Sequence, residues 1–307
     1  MRLRPTVTAL AVCLLIAGSA AAEIELHQKH RFDARPGGTV VVDVSFHRVE
    51  VTARPGDSID VTVDIEVKGS GGSSKNTLNA LQPQFLEEGD KLIIRSVRKK
   101  GFSWKSISAK GLVTVQMPPG MNLTIDSSSG SAKIDGDFGD AVVRFDASSG
   151  SLTVDGAMRE LHSDISSGSV RATVSRPLDV FSADASSGST RLSGGAHKAM
   201  VDASSGSMDL SNLHGSATFD SSSGSITAQW DAIPPEASVR AGASSGSVTL
   251  RFPAGTALAG SVDVSSGGIR SDFPGMKGKD YIKLEGGPGA VNIVVDTSSG
   301  SVKLLSN

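Results

Sequence analysis

A Ser-Ser-Gly-Ser motif, or a close variant, recurs nine times between residue 126 and the C-terminus, with its glycine at 130, 150, 168, 188, 206, 224, 246, 267 and 300. The spacing is 18–22 residues as far as Gly267 and 33 at the last step. Such regularity means that one small structural unit is stacked on copies of itself. Eight of the copies carry an aspartate four residues before the glycine: Asp126, Asp146, Asp164, Asp184, Asp202, Asp220, Asp263 and Asp296. Only Gly242 departs from this rule.

The residues around each motif alternate with a period of two. Two places after the glycine the chain reads Ala132, Leu152, Val170, Thr190, Met208, Ile226, Val248, Ile269 and Val302, and the residue after that is polar in every copy. That is the pattern of a half-buried strand. The same parity precedes the glycine, where the aspartate falls on the solvent side. Each repeat therefore reads as strand, Ser-Ser-Gly turn, strand and a second turn, the last often marked by glycine as at Asp135-Gly136 and Gly194-Gly195.

An antiparallel meander of so many strands would need a second layer or closure into a wide barrel. A membrane barrel would need longer strands, an apolar outer face and aromatic girdles, whereas here aromatics are 4% of the chain and the outer positions are Lys, Arg, Thr and Asp. The pattern predicts an all-β fold, a parallel β-solenoid of about nine two-strand coils, each lying about 4.8 Å above the last. Two sheets are expected to pack face to face, with the small residues near the turns where the sheets converge.

Met1-Arg2-Leu3-Arg4, an apolar run from Val7 to Ala17 and the small residues Ala20-Ala21-Ala22 read as a secretory signal peptide over 1–22, too short for a membrane span. Cleavage after Ala22 would leave 28 basic and 32 acidic residues, a net charge of −4, and no cysteine. The expected location is therefore exported, in the periplasm or on the cell surface, with stability drawn from packing alone. Cys13 as a lipid attachment site is the rival reading, disfavoured by the bulky Val12 before it. The near-neutral charge carries no basic surface of the kind nucleic acid requires.

Residues 23–120 lack the repeat but are β-rich, with alternating runs separated by turn clusters such as Arg35-Pro36-Gly37-Gly38 and Pro118-Pro119-Gly120. They are expected to cap the solenoid over 121–307, because an open stack exposes unpaired strand edges. The stretch from Phe252 to Gly289 is expected to serve the other end.

Phe32-Asp33-Ala34-Arg35-Pro36-Gly37-Gly38 running into Val40 to Val44, then His47-Arg48-Val49-Glu50-Val51, then Val115-Gln116-Met117-Pro118-Pro119-Gly120 before the repeats, resembles the bacterial putative-adhesin family of unknown function. The resemblance covers nearly all of the mature chain. It implies an exported β-solenoid of the cell envelope, and it carries no catalytic or binding residues that transfer to this sequence.

Several groups could carry chemistry. Carboxylates stacked about 5 Å apart repel by roughly 1 kcal/mol in water and about 3 at an effective dielectric of 20, which a bound cation would relieve. The favoured reading is that each aspartate of the ladder accepts hydrogen bonds from the N–H groups of its own turn, which offsets the repulsion. The serine rows could meet an ordered lattice, but serine before glycine is ordinary turn chemistry, and no histidine or lysine recurs beside them as a base. Ser96-Val97-Arg98-Lys99 matches a Ser-x-x-Lys pattern without any companion motif. His27 and His30 stand three apart in a segment expected to fray, and His47, His162, His197 and His214 show no metal spacing.

The most distinctive local stretch runs from Arg95 to Lys110. It holds Arg95, Arg98, Lys99, Lys100, Lys105 and Lys110 without an acid, interleaved with Phe102 and Trp104. It reads either as a solvated hairpin tip or as a surface for an anionic envelope polymer or lipid headgroups. No cofactor is implied. The sequence thus points to a non-enzymatic structural or adhesive module of the envelope. The alternative is a carbohydrate-active β-helix, a lyase or hydrolase, which would need Arg171, Arg191 and Asp209 to cluster in a cleft with paired carboxylates.

Overall fold

The computed structural model describes residues 10–12, 22–69, 72–96 and 108–307. Of the expected leader, Leu10–Val12 and Ala22 fall within them and the rest lies outside. Residues 1–150 and 151–307 make two compact units, and each is built of coils whose two strands enter two different sheets.

In the second unit the strands preceding the corners form one parallel sheet, aligned in register from Glu160–Ser167 through Leu178–Ser187, Ala196–Ser205, Ser216–Ser223 and Ser238–Ser245. The strands following the corners form the other, from Leu152–Ala157 through Val170–Val174 to Val248–Phe252. The predicted parallel β-solenoid is what forms. The parity holds as well: Val170, Ala172, Met208, Leu210, Val248 and Leu250 are all buried, while Arg171 and the aspartates at 164, 184, 202 and 220 are exposed. Side chains between the sheets include Phe181, Phe219, Trp230 and Phe252, all at most 1% exposed. Trp230 stacks on Phe252 at 4.8 Å and donates its indole N–H to the Gly215 carbonyl at 2.8 Å.

The coils do not all stack in chain order. Val291–Ser299 and Val302–Ser306, the Gly300 coil, lie between the Gly246 coil and the Gly267 coil in both sheets. The reason lies in the Gly267 coil itself, whose second strand is only the three residues Ile269–Ser271 and is half-exposed. Such a strand can end a sheet but offers little to a neighbour on its far side. The long final interval supplies the hairpin Gly275–Lys277 and Tyr281–Glu285, which folds antiparallel against Leu258–Ser266. An antiparallel strand on a parallel edge supplies the capping that the sequence led one to expect there.

The first unit uses the same plan with two coils that the motif does not mark. Thr39–Val44 and Arg48–Ala53 pair in parallel with Asn122–Ser127 and Ala132–Asp137, so Ser45-Phe46-His47 takes the place of a Ser-Ser-Gly corner. Outside this coil, Lys91–Ser96 and Ser108–Met117 pair in parallel with the same two strands. The strands on either side of residues 97–107 thus lie in different sheets and do not pair with each other, so they are not the two arms of a hairpin; residues 97–107 themselves lie outside the described residues. The antiparallel strands Ala22–Asp33, Ser58–Gly69 and Pro83–Glu88 extend the sheets beyond this coil, and helix Gly72–Leu81 packs Leu78 and Leu81 inward. Ala22–Asp33 is paired along its whole length, which replaces the fraying expected around His27 and His30.

Candidate binding surface

The corner of each coil is held by the backbone. The N–H of Gly168 donates to the Ser187 carbonyl, that of Gly188 to Ser205 and that of Gly206 to Ser223, each at 3.0 Å. The aspartates are not the acceptors for these amides, because the next coil already supplies a carbonyl at the distance a parallel ladder sets. At Gly130 the side-chain acceptor is Ser127 Oγ at 2.9 Å, again a serine and not the aspartate.

The aspartates form an exposed row instead. In the first unit Asp43, Asp126 and Asp146 stand in register. In the second, Asp164, Asp184, Asp202 and Asp220 do so, followed by Gly242, Asp296 and Asp263. Asp202 has its carboxyl raised above the ordinary carboxylate range by partial burial first and then by the charges of Asp184 and Asp220. Gly242 breaks the row, so Asp220 and Asp296 are not direct neighbours. Among the described residues no group of three or more His, Cys, Asp or Glu side chains is arranged to hold a metal ion.

A raised carboxyl pKa means that the folded state resists ionisation, so this site costs stability once it is charged and the cost falls away as pH drops through the folded value. Asp202→Asn should therefore raise stability at pH 7 slightly, by about 0.5 kcal/mol or less because the carboxylate is exposed and screened by solvent, with part of the gain lost in 1 M salt. Denaturant midpoints at the two ionic strengths measure this. A destabilised variant would show that the carboxylate has a favourable partner.

The basic stretch is anchored at both ends. Arg95 stands in register with Asp43, at the position aspartate occupies in the neighbouring coils, and its Nε donates to Asp43 Oδ2 at 2.7 Å. Arg95 thereby ends the carboxylate row of its unit with a cation. Lys110 is exposed in the other sheet, directly across from Glu66. It lines a cavity of about 630 Å³ with Arg48 and the carboxylates of Glu25, Glu50, Asp64 and Glu66. The stem of the loop is thus acidic on balance, and attraction for an anion rests on Arg98, Lys99, Lys100, Phe102, Trp104 and Lys105, which lie outside the described residues.

His27 and His30 point to opposite faces of their strand, since an odd separation reverses side-chain direction. His27 Nδ1 meets Asp64 Oδ1 at 2.5 Å, whereas His30 packs on Phe85 with ring centroids 4.1 Å apart. They cannot share a metal ion. His197 and His214, about one coil apart in the chain, have ring centroids 5.8 Å apart.

The most consequential residue that motif counting passed over is His47. It is fully buried, neither ring nitrogen completes a hydrogen bond, and its pKa is lowered to about 4, chiefly by burial. The Leu81 carbonyl acts in the opposite direction and offsets only part of this. Gly111 leaves the space for the ring: a Cβ there would overlap His47 Cδ2.

The second unit does bring Arg171, Arg191 and Asp209 together, on consecutive strands of one sheet. Asp209 accepts from Arg191 Nη2 at 2.9 Å and Nε at 3.2 Å. It is the one carboxylate lining the groove there. Glycoside hydrolysis by the usual route needs a pair, and a carboxylate held in a two-nitrogen contact is poorly placed to give or take a proton. The arrangement does not supply the site that the carbohydrate-active alternative required. Among the described residues no helix is long and apolar enough to cross a membrane.

The Toastrack DUF4097 family model matches residues 41–305. Similar solved structures include a putative adhesin from Bacteroides fragilis, at 11% identity over 94% of this chain and 98% of that one, with a TM-score of 0.40. A putative lipid binding protein from Parabacteroides distasonis is 14% identical over 91% of this chain and 96% of that one, with a TM-score of 0.48. No curated protein matches the chain.

Proposed function

This chain belongs to the Toastrack DUF4097 family, and from that premise we propose that it is an exported, non-enzymatic module of the bacterial cell envelope, structural or adhesive, that docks onto an anionic envelope polymer or lipid headgroups. The observation that carries the reading is the composition of the stretch from Arg95 to Lys110, six cations and two aromatic residues without an acid. Its described flanks, Lys91–Ser96 and Ser108–Met117, pair in two different sheets with Thr39–Val44 and Arg48–Ala53. Lysines and an arginine beside Phe102 and Trp104 combine charge attraction with amphipathic rings suited to an interface.

Replacing Arg98, Lys99, Lys100 and Lys105 together by Gln tests this. Binding of the purified mature protein to envelope polysaccharide, and separately to anionic and zwitterionic vesicles, should fall at least about tenfold for whichever anionic partner is correct, and wild-type binding should weaken with salt. Retention by the variant equal to that of the wild type on every anionic surface would refute the proposal. The export element predicts a periplasmic or surface location after fractionation, with the mature chain starting near Glu23.

A further inference from the structure

We propose that the groove along the outer face of the second unit, where Arg171 and Arg191 adjoin a row of serines, is a binding site for an extended carboxylated polysaccharide. This site is distinct from the basic stretch between Arg95 and Lys110 and does not depend on it. The groove encloses about 430 Å³. Ser169, Ser189 and Ser207 line it from three successive coils, tied together by the N–H of Val170 to the Ser189 carbonyl at 3.0 Å and of Thr190 to the Ser207 carbonyl at 3.0 Å. Their hydroxyls therefore run along the stack at a step of about 4.8 Å. Two residues further along each strand, Arg171 and Arg191 lie side by side in register.

The charge balance of this pair is what asks for a ligand. Asp209 neutralises Arg191, while Arg171 is exposed and meets no carboxylate within ion-pair distance among the described residues. Two guanidinium groups one coil apart repel, and the neighbour on the other side of Arg171 is Thr153, which carries no charge. A carboxylate placed on Arg171 would complete a row in which cation and anion match. The planar fork of a guanidinium accepts a carboxylate through two parallel hydrogen bonds, and the adjoining serine row offers donors and acceptors to sugar hydroxyls. A sugar residue is about as long as one coil step, so successive units of a linear chain would meet successive serines of the row, with the carboxylate of one unit on Arg171. A uronic acid polymer has this combination of one carboxylate and several hydroxyls per unit.

The test is calorimetric titration of the mature protein with oligogalacturonate in low salt. Arg171→Gln is expected to weaken binding at least tenfold, Ser169→Ala with Ser189→Ala a few-fold, and the methyl-esterified oligosaccharide should not bind. Arg171 is exposed and unpaired, so the variant should keep the wild-type melting temperature, which verifies that it is folded. The protein with its basic loop neutralised should bind oligogalacturonate as the wild type does. Unchanged binding in Arg171→Gln, equal binding of the esterified chain, or equal binding of poly-glutamate would each overturn the assignment. Loss of oligogalacturonate binding on neutralising the loop alone would move the ligand to the loop and refute the groove while leaving the loop proposal standing.

Discussion

Gly188→Ala is expected to destabilise the protein by about 2–6 kcal/mol, a large part of the stability of a typical domain. Two independent causes add. Gly188 has φ +124°, in a region that residues with a side chain rarely enter, which costs roughly 1–3 kcal/mol. A methyl there would also overlap the Gly168 carbonyl oxygen. That oxygen belongs to the backbone of the preceding corner and cannot move without separating the coils, which costs a further 1–3 kcal/mol or so. The relation repeats along the unit: a Cβ on Gly206 meets the Gly188 oxygen, and one on Gly224 meets that of Gly206. Gly268→Ala is the control, since nothing lies within 4 Å of its Cβ direction and its φ is outside the positive region. It should change stability by no more than about 0.5 kcal/mol. Denaturant unfolding of both variants decides the point, and equal small losses would show that the corner glycines are not required by the stacking.

Acid should weaken the fold well before the carboxylates protonate, through His47. With a folded pKa of about 4 against about 6.5 in the unfolded chain, the unfolded state takes up a proton first as pH falls. The sign follows from that order: full stability is present above pH 6.5, declines by about 1.4 kcal/mol per unit below it and has fallen by about 3 kcal/mol at pH 4. His30, also lowered by burial, acts in the same direction. The pair of Arg31 and Asp60 does not contribute in this window, because Arg31 holds the Asp60 carboxyl below its ordinary value and its stabilisation is lost only in stronger acid. Asp202 acts in the opposite direction, losing its repulsive charge as pH falls through its raised value. His47→Leu should flatten the stability curve between pH 7 and pH 4.5 by most of the His47 contribution. A variant whose stability declines as steeply as that of the wild type would place the acid sensitivity elsewhere.

The two results depend on residues of different legibility. Gly188 is one of nine motif glycines, eight of which have positive φ, and its role follows from the repeat as soon as coils are stacked in register. His47 sits at a corner that carries no motif. Its corner is recognisable only because Thr39–Val44 and Arg48–Ala53 lie beside repeat strands from far along the chain, and its burial depends on Gly111, which is distant in sequence. The Arg95 stretch shows a third case. Its composition is plain in the sequence, yet that its flanking strands enter two different sheets follows only from their pairing with Thr39–Val44 and Arg48–Ala53. The aspartate row was legible as an outward ladder, but not its bonding, since the partners of the corner amides are supplied by the next coil.

The period of the repeat and the alternation of apolar and polar residues by themselves determined a parallel β-solenoid with the apolar side chains inside. Both are local properties, and a side-chain period of two leaves a strand only one face to bury. Tertiary structure decided the order of the coils at the two ends, the burial of His47, the end of the first unit's carboxylate row at Arg95 and the meeting of Arg171, Arg191 and Asp209. Each of these depends on which strand lies beside which. That choice is made by competition between edges of unequal length and burial, and no local pattern records its outcome.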